Sequence, residues 1–324
     1  MKAIVFERYG TPEVLHLMEV DRPVPAADQA LVEIRAASLN RGDWYFLTGR
    51  PFMVRLSPGG IREPKHKVLG GDVAGVVIAV GKDVTHIQVG DEIFADISDF
   101  GMGALAEYVA IDESLLTAKP ANLSFQEAAA MPSAAVTALQ GLRDHGGIYA
   151  GQRVAVNGAS GGVGTYAVQI AKAFDTEVTA ICSTSKMEMV RALGADYVVD
   201  YTQTDFTRGD DVYDLIVGVN GRQTMRDYAR VLAPTGTYVC IGGPMRHIFG
   251  SMLLGPAMSR EGGRQFKNMG SNRINKQDLV TMKGLVEAGK VAPVIDRVYP
   301  LAETADAFRY LGTKRARGKI VIAM

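Results

Sequence analysis

The sequence predicts an α/β protein of two domains, one a β-barrel-like domain and the other a doubly wound parallel sheet with helices. Three observations support this. Short β-type runs fill the first 120 or so residues, strands and helices alternate from about Ser124 onwards, and a glycine-rich turn joins a strand to a helix in that second region. A chain of 324 residues, 47% of them apolar, is long enough to bury a core in each domain.

The first region is predicted to form strands because Gly, Pro and Asp punctuate its short apolar runs at close spacing. These runs are KAIVFE, QALVEIRAAS, VAGVVIAVG, EIFADI and LAEYVAI. Residues 49–70 contain three prolines, four glycines and no clean period. We expect a long surface loop there.

The second region begins with SFQEAAAMPSAAVTALQGLRD, a predicted helix with Ser124 as N-cap and Glu127 completing a capping box. The strands RVAVNG, EVTAIC, YVVDY, YDLIVGV and TYVCIGG then alternate with helical segments, which predicts βαβ units. The last 60 residues contain the helix KQDLVTMKGLVEAGKV, a predicted turn at YPLAETADAF and a terminal strand GKIVIAM.

Charge and cysteine content exclude several classes of protein. Lys and Arg number 35, as do Asp and Glu, so the chain lacks the basic character of a nucleic-acid or anionic-membrane binder. Its two cysteines cannot form a disulfide framework. The apolar run near the N-terminus ends at Glu7, too short for a signal peptide, and no run reaches the ~18 residues of a membrane span. We therefore expect a cytoplasmic protein with no membrane or nucleic-acid partner.

The stretch VAVNGASGGVGTYAVQIAKA places glycines where a short apolar strand turns into a helix. Gly158, Gly161 and Gly164 are spaced by three residues. Missing Cβ atoms permit a tight turn and let a pyrophosphate approach the N–H groups at the positive end of the helix. The alternative is a purely structural turn. The residues of this turn that are predicted to bind the cofactor are Ser160, Gly161, Gly162 and Val163.

The residues after the next strand bear on which dinucleotide binds. NAD sites usually place an acid at the end of this strand to hold the ribose 2′-hydroxyl. Here EVTAIC runs into Ser183, Thr184, Ser185 and Lys186, and the first acid is Glu188. Hydroxyls and an ammonium suit a 2′-phosphate, with no carboxylate there to repel it, so we predict NADPH. Alternatively, Ser185 only caps the helix that follows.

The motifs VNGASGGVGTYAVQIAKA, VLGGDVAGVVIAVG, VGDEIFA and EAGKVAPVIDRVYPLAETADAFRYL resemble the medium-chain dehydrogenase/reductase superfamily, and within it the zinc-independent quinone oxidoreductase and enone reductase branch. The resemblance spans nearly the whole chain. It implies a GroES-like β-barrel catalytic domain formed by residues 1–123 and 266–324. It also implies an inserted Rossmann domain, a doubly wound parallel sheet that binds NADP(H), over residues 124–265.

The resemblance also implies that no zinc is bound. Zinc-dependent relatives supply Cys, His and Cys at the positions that match Asn40, Gly71 and Ser133, and none of these three is a usual zinc ligand. Two cysteines also cannot build the four-cysteine lobe of those relatives. A zinc-dependent alcohol dehydrogenase is therefore an unfavoured alternative.

The segment LNRGDWY matches the family's Asn-x-x-Asp-x-Tyr signature at Asn40, Asp43 and Tyr45, residues that lie near the nicotinamide in relatives. The resemblance implies two catalytic residues. Asn40 would hold the carboxamide or a substrate oxygen through its N–H donors, and Tyr45 would hydrogen-bond the substrate carbonyl. Asp43 would orient its neighbours. The alternative for each is a satisfied structural polar residue.

The resemblance places further residues near the nicotinamide and ribose. They lie in the helical segment before the first strand of the second domain and at the ends of the VGVNG and CIGG segments. Together with Tyr201, the residues added to the predicted cofactor site are Thr137, Asn220, Ile241 and Gly242.

These observations predict an NADPH-dependent oxidoreductase that transfers hydride to a quinone or to the C=C bond of an α,β-unsaturated carbonyl. A non-enzymatic NADPH-binding redox sensor or structural protein needs the same cofactor site and stays an alternative. We also expect a homodimer joined through an open sheet edge at TYVCIGG or its neighbour, because unpaired edges invite pairing and relatives usually dimerise this way.

Overall fold

The chain divides into two compact units. The computed structural model describes residues 1–56, 60–221, 223–259, 263–270 and 274–324. Unit 1 comprises Met1–Ala134, Arg273–Glu287 and Pro293–Met324, and unit 2 comprises Ala135–Asn272 and Ala288–Ala292. Unit 1 is therefore assembled from both ends of the chain, and unit 2 mainly from one continuous segment.

The described residues form strands and helices that are numbered here in chain order. The strands are β1 (Lys2–Val5), β2 (His16–Glu19), β3 (Gln29–Leu39), β4 (Asp72–Val80), β5 (Glu92–Asp96), β6 (Tyr108–Asp112), β7 (Thr117–Ala118), β8 (Arg153–Asn157), β9 (Glu177–Cys182), β10 (Tyr197–Asp200), β11 (Tyr213–Gly218), β12 (Leu232–Cys240), β13 (Gln265–Asn268), β14 (Ile295–Pro300) and β15 (Lys319–Ala323). The helices are α1 (Arg41–Thr48), α2 (Phe125–Ala129), α3 (Pro132–Gln140), α4 (Gly162–Ala173), α5 (Met187–Ala192), α6 (Met225–Val231), α7 (Met245–Met258), α8 (Lys276–Glu287) and α9 (Thr304–Gly312).

Unit 1 is built around a mixed sheet in the order β14-β15-β3-β4-β5-β7, with β6 also paired to β3. β3 is antiparallel to β15, β4 and β6, and register shifts near Leu31 and Ile34 mark irregularities in its pairing with β4. Such irregularities bend a strand and increase its local twist. The five predicted strand runs are β1, β3, β4, β5 and β6, and the predicted β-rich architecture is confirmed.

Unit 2 contains a six-stranded sheet in the order β10-β9-β8-β11-β12-β13. All of its neighbouring strands are parallel. Numbered within the sheet, this order is 3-2-1-4-5-6, the order of a Rossmann dinucleotide-binding fold. The strand order reverses between β8 and β11, where such folds bind their ligands. The predicted doubly wound parallel sheet is confirmed.

The helix predicted from Ser124 is two helices. α2 has the predicted capping box, in which the Ser124 N–H donates to Glu127 Oε2 at 2.8 Å and the Glu127 N–H donates to Ser124 Oγ at 3.3 Å. α3 starts at Pro132, which has no N–H to continue the preceding helix. α2 belongs to unit 1, whereas the predicted boundary at 123/124 assigned it to the Rossmann domain. Its small residues, including the fully buried Ala128, allow close packing against β3 and β4.

Three other segments also differ from expectation. β13 pairs with β12 and so belongs to unit 2, whereas the predicted boundary at 265/266 divides it. YPLAETADAF contains the start of α9 rather than only a turn. α7 was not predicted, because Gly250, Gly255 and Pro256 disfavour a helix in isolation. In the 49–70 loop, the described residues form a short helical turn and an isolated bridge at Val68, and residues 57–59 lie outside the description.

Candidate active site

The predicted cofactor residues of unit 2 gather at one edge of its sheet. Because the strands are parallel, their carboxyl ends meet at the same edge, and ligands of such sheets bind there. Each of five successive strands contributes: residues 160–163 follow β8, residues 183–186 follow β9, Tyr201 follows β10, Asn220 lies beyond β11, and residues 241–242 follow β12. Thr137, the remaining predicted residue, lies on α3.

The glycines of the turn after β8 have different roles. Gly158 has a left-handed φ of +95°, and a Cβ there would lie 2.9 Å from the Asn220 nitrogen. A Cβ on Gly164 would lie 2.1 Å from the Gly158 oxygen, so helix and turn can approach this closely only without a side chain. A Cβ on Gly161 would have no neighbour closer than 3.8 Å. The fold therefore requires glycine at 158 and 164, whereas the absence of a side chain at Gly161 leaves open space.

That open space lies at the start of α4. Gly161 is the N-cap, has no side chain to cap the helix, and is followed by a first turn with no acidic residue. The first N–H groups of a helix have no intrahelical partner and carry partial positive charge. A pyrophosphate therefore fits here, because there is open space for it and the first N–H groups of α4 can donate to it. Ser160, Gly162 and Val163 lie at the same turn.

The loop after β9 contains a carboxylate that the sequence analysis did not anticipate. The Thr184 hydroxyl donates to Asp200 and lies 3.2 Å from the Thr202 hydroxyl. Asp200 pairs in register with Cys182, so its side chain reaches the neighbouring loop. The Thr184 hydrogen bond is the main reason that the pKa of Asp200 is lowered. The expectation that no carboxylate lies among these hydroxyls is wrong, because the acid comes from a different strand.

Backbone hydrogen bonds hold the remaining strand ends. The N–H groups of Val219 and Asn220 donate to the Asn157 oxygen at 2.9 and 3.2 Å. The N–H groups of Ile241 and Gly242 donate to the Gly218 oxygen at 2.9 and 3.2 Å. These bonds tie the ends of β8, β11 and β12 together, so the position of Asn220 is fixed mainly by the backbone.

Unit 1 contains a separate polar centre around Asp72, the first residue of β4. Asp72 Oδ2 accepts from Ser38 Oγ at 2.8 Å, Asn40 Nδ2 at 2.8 Å and Lys319 Nζ at 3.0 Å, and Oδ1 accepts from the Ser133 N–H at 2.9 Å. Asp72 is 0% exposed and Lys319 is 2% exposed. A buried ion pair persists only when its remaining polar atoms are also satisfied, and here four donors converge on one carboxylate.

Asn40 connects this centre to α1. It is the N-cap of the helix, and its N–H donates to Asp43 Oδ2 at 2.7 Å. Its side chain donates to Asp72 through Nδ2 and accepts from Lys319 through Oδ1. We predicted from the sequence that the side-chain N–H groups of Asn40 donate to a ligand. In the structure, one of these N–H groups donates to Asp72 within unit 1.

Two further buried carboxyls lie near this centre. Burial raises the pKa of Asp43 to about 7, and the Asp72 carboxylate adds to the effect. Burial is also the main cause of a raised pKa at Asp96, again with a contribution from Asp72. Asp96 Oδ1 accepts from the Ser98 N–H at 2.8 Å, whereas Oδ2 has no hydrogen-bond partner within the described residues. Both carboxyls therefore hold a proton to a higher pH than an exposed Asp does.

Tyr45 lies on α1 and is half-buried. Its hydroxyl has no hydrogen-bond partner among the residues that the structure describes, in contrast to the amide of Asn40. The Arg41 guanidinium is close enough to interact electrostatically with Tyr45, although burial is the main reason that the pKa of Arg41 is lowered. The Tyr45 hydroxyl is therefore available to donate a hydrogen bond to a ligand.

The sequence analysis missed Asp72 and Lys319. Each carried a weak signal, because each is a charged residue at the start of an otherwise apolar strand, GGDVAGVV and GKIVIAM. Asn40 and Ser133, two of the positions matched to zinc ligands in relatives, both donate to Asp72, the neighbour of Gly71. Within the described residues, no group of three or more His, Cys, Asp or Glu side chains is arranged to hold a metal ion.

A parallel sheet with a glycine-rich turn between its first strand and helix, and a second unit with a buried polar centre, are typical of a dinucleotide-dependent oxidoreductase. Comparison with protein families agrees with this class. Residues 26–121 match the alcohol dehydrogenase GroES-like domain, and residues 193–322 match a family described as zinc-binding dehydrogenase. The chain belongs to the medium-chain dehydrogenase/reductase superfamily, in the branch that contains quinone and enone oxidoreductases.

Individual relatives and structures agree. The chain is 36% identical to 2-methylene-furan-3-one reductase of Solanum lycopersicum, over 99% of this chain and 79% of the relative. It is also 36% identical to the chloroplastic NADPH-dependent alkenal/one oxidoreductase of Arabidopsis thaliana, with the same coverage. The solved structure of the quinone oxidoreductase from Coxiella burnetii has a TM-score of 0.88 and 29% identity, covering 100% of this chain and 99% of that one.

Proposed function

We propose that this chain uses NADPH, without zinc, to reduce quinones or the C=C bond of α,β-unsaturated carbonyl compounds. The names of the relatives support both substrate classes. The observation that carries the proposal is Tyr45, a half-buried hydroxyl donor without a partner in the described residues, on the helix that Asn40 begins. A carbonyl oxygen is the group that such a donor recognises.

In this proposal, residues of unit 2 hold the cofactor, which supplies a hydride when bound. The α4 N-terminus receives the pyrophosphate, and the loops after β9 and β10 receive the adenosine ribose and its 2′-phosphate. Lys186 favours the phosphate by charge, whereas Asp200 opposes it. The residues assigned to cofactor binding are Thr137, Ser160, Gly161, Gly162, Val163, Ser183, Thr184, Lys186, Tyr201, Asn220, Ile241 and Gly242.

Unit 1 supplies the groups that stabilise the reacting carbonyl. When hydride adds to the β-carbon of an enone, negative charge grows on the carbonyl oxygen. The Tyr45 hydroxyl donates to that oxygen, and this bond strengthens as charge develops, which lowers the barrier. The α-carbon then needs a proton, which Tyr45 or water supplies. A quinone needs less help because two electrons make its ring aromatic.

Neutral site residues replace a metal in this proposal. Asn40, Gly71 and Ser133 are not usual zinc ligands, and the polar centre that includes Asn40 already holds the cation Lys319. Elemental analysis of the purified, active enzyme is expected to give far less than one zinc per chain. About one zinc per chain, with turnover lost on chelation, would contradict this part of the proposal.

Turnover assays test the proposed activity. We expect purified protein to consume NADPH with quinones and with small enones, monitored by loss of NADPH absorbance and by product analysis showing a saturated C–C bond. Simple alcohols with NADP⁺ serve as the comparison and are expected to give no turnover. NADPH binding without turnover on either substrate class would point instead to a non-enzymatic NADPH-binding protein.

The proposal includes a cytoplasmic homodimer joined at the end of the unit 2 sheet. β13 is the end strand of that sheet, and the nearby helix α7 exposes Met252, Leu253 and Leu254, with Leu253 77% exposed. An unpaired strand edge beside apolar side chains favours association. Light scattering should give about twice the 34.8 kDa chain mass. Leu253→Glu should lower that mass towards the monomer, and a monomeric wild type would contradict the assembly.

Among the helices of the described residues, none combines the length and the apolar character that a membrane span needs.

A further inference from the structure

The hydrogen-bonded network around Asp72 has one side chain that is not buried. Ser38, Asp72 and Lys319 are fully or almost fully buried, whereas Asn40 is partly exposed. The network crosses three adjacent strands, because Asp72 begins β4, Ser38 lies on β3 and Lys319 begins β15. A buried charged pair of unit 1 is therefore hydrogen-bonded to a residue that is partly exposed.

The two charged partners fix which way the Asn40 amide faces. An ammonium can only donate hydrogen bonds and an ionised carboxylate can only accept them. Lys319 therefore holds the oxygen of the amide, and Asp72 holds its nitrogen. A flipped amide would place N–H groups against the ammonium and the oxygen against the carboxylate. Opposite charges on the two sides thus permit one orientation.

In this orientation, Asp72 uses only one of the two N–H groups of the Asn40 amide. An amide nitrogen carries two N–H groups, and Asp72 accepts one of them at 2.8 Å. The second has no acceptor among the described residues, and a carbonyl oxygen is an acceptor that fits it. Both a quinone or enone substrate and the carboxamide of a nicotinamide carry such an oxygen.

We propose that Lys319 and Asp72 are positioning residues that hold the Asn40 amide so that its second N–H donates to a ligand carbonyl oxygen. This inference rests on the proposed function. Asn40 is the residue that touches the ligand, and the ion pair acts through it. Lys319, at the start of the last strand, is thereby a determinant of the reaction.

A charge-neutral double variant separates positioning from folding. Lys319→Met alone would leave Asp72 as an unpaired buried charge, which is destabilising in itself. Asp72→Asn/Lys319→Met removes both charges, so the site stays neutral and the amide loses its two charged partners, while the Asp43 N–H of the capping box is kept. The matched control is Lys82→Met/Asp83→Asn, the same chemical change at two exposed neighbours in unit 1. Fluorescence of Trp44, the only tryptophan of the chain, reports whether unit 1 is folded.

If the proposal is right, the folded double variant will lose at least about tenfold in kcat or in affinity for one ligand, while the control will match wild type. A lower kcat with enones and unchanged NADPH affinity assigns the N–H to the substrate carbonyl. A weaker affinity for NADPH assigns it to the cofactor carboxamide. A folded double variant with kcat and both affinities within about twofold of wild type overturns the proposal.

A second measurement needs neither the Asp72→Asn/Lys319→Met variant nor turnover. The Asn40 side-chain amide gives a pair of ¹H–¹⁵N resonances, identified by their loss in Asn40→Asp. In the wild type, one proton should shift on addition of NADPH or of an enone in the presence of NADP⁺, and the proton held by Asp72 should shift less. If neither ligand moves either resonance, the proposal fails. Absence of turnover in the wild type, with this shift present, refutes the proposed function but not the positioning.

Discussion

The polar centre of unit 1 and the strand-end site of unit 2 are built on opposite principles. In unit 1, the buried Asp72 carboxylate accepts from four donors, of which one is the charged ammonium of Lys319. In unit 2, the glycine turn offers main-chain N–H groups and open space at Gly161. The Asp72 carboxylate has its hydrogen-bond partners within unit 1, whereas the glycine turn is suited to receive a ligand.

This difference determines how each site responds to substitution. Changes in unit 1 alter the balance of buried charge, so they should act on stability and its pH dependence as well as on activity. Changes in unit 2 alter the space around the backbone or the charge near a bound phosphate, so most should act on cofactor affinity. The predictions below test this division, beginning with the largest expected effect.

The stability of unit 1 should fall as pH rises from about 4 to about 7. An unfolded Asp releases its proton near pH 3.9, whereas the folded state raises the pKa of Asp43 to about 7. The folded state therefore binds the proton more tightly, and this advantage is lost as pH rises. A pKa difference of about three corresponds to at most about 4 kcal/mol. Asp43→Asn should remove most of this slope in urea unfolding followed by Trp44 fluorescence.

The control for this prediction is Asp83→Asn, an exposed carboxylate of the same unit, which should keep the wild-type slope. Asp96 shifts in the same direction as Asp43, so a small residual slope is expected in Asp43→Asn. The same pH dependence of the unfolding free energy in wild type and in Asp43→Asn would contradict the assignment of a raised pKa to Asp43.

Two glycine substitutions should separate the structural and ligand-facing parts of the turn in unit 2. Gly164→Ala places a Cβ 2.1 Å from a main-chain oxygen, so we expect the protein without ligand to lose about 2–3 kcal/mol of stability. Gly161→Ala meets nothing closer than 3.8 Å and should cost less than about 0.5 kcal/mol. It should nevertheless weaken NADPH binding, because its Cβ enters the space left for the phosphates. Thermal unfolding and NADPH titration measure both effects, and equal losses of stability would refute the distinction.

Tyr45→Phe should lower enone turnover about 10- to 100-fold, equivalent to about 1.4–2.7 kcal/mol in the barrier. The substitution keeps the ring and removes only the hydroxyl that donates to the growing negative charge. Quinone turnover should fall less, and NADPH affinity should stay nearly constant because the glycine turn belongs to unit 2. If enone turnover is intact, Tyr45 only lines the site and bound water becomes the proton source.

Cofactor selectivity is expected to show the smallest effects. Wild type should bind NADPH at least about tenfold more tightly than NADH, about 1.4 kcal/mol, through Lys186. Lys186→Glu should reverse much of this preference, and Asp200→Asn should strengthen NADPH binding by a few-fold because it removes a repelling charge. Glu188→Gln, on an exposed side chain of the same segment, is the control and should change little. Equal affinities of wild type for NADPH and NADH would contradict the assignment of NADPH as the preferred cofactor.

The sequence predicted unit 2 better than unit 1 because the two sites depend on information at different distances along the chain. The turn at 158–164 is local, so its glycine spacing and the flanking strand and helix predict its position. Asp72 and Lys319 are separated by 247 residues, and only the order β15-β3-β4 brings them together. Asp200 was missed for the same reason, since it reaches Thr184 from the next strand rather than along the loop.

The domain boundaries show the same limit in packing. The capping box at Ser124 predicted correctly where α2 begins, because the signal lies within four residues. It carried no information on which sheet the helix packs against, and α2 belongs to unit 1. Likewise, the pattern of residues 265–268 does not reveal that β13 joins β12. Local motifs therefore predict where a helix or strand lies along the chain, whereas the sheet that it packs against or joins depends on residues far away in the sequence.

The discontinuity of unit 1 has a consequence for how the chain is made. Lys319 leaves the ribosome 247 residues after Asp72, about 12–50 s later at ordinary rates of synthesis. Throughout that interval, Asp72 lacks its cation and the edge of β3 that pairs with β15 has no partner. The main segment of unit 2, Ala135–Asn272, is meanwhile complete. The main segment of unit 2 can therefore begin to fold before Lys319 is made, whereas unit 1 can reach its final structure only afterwards.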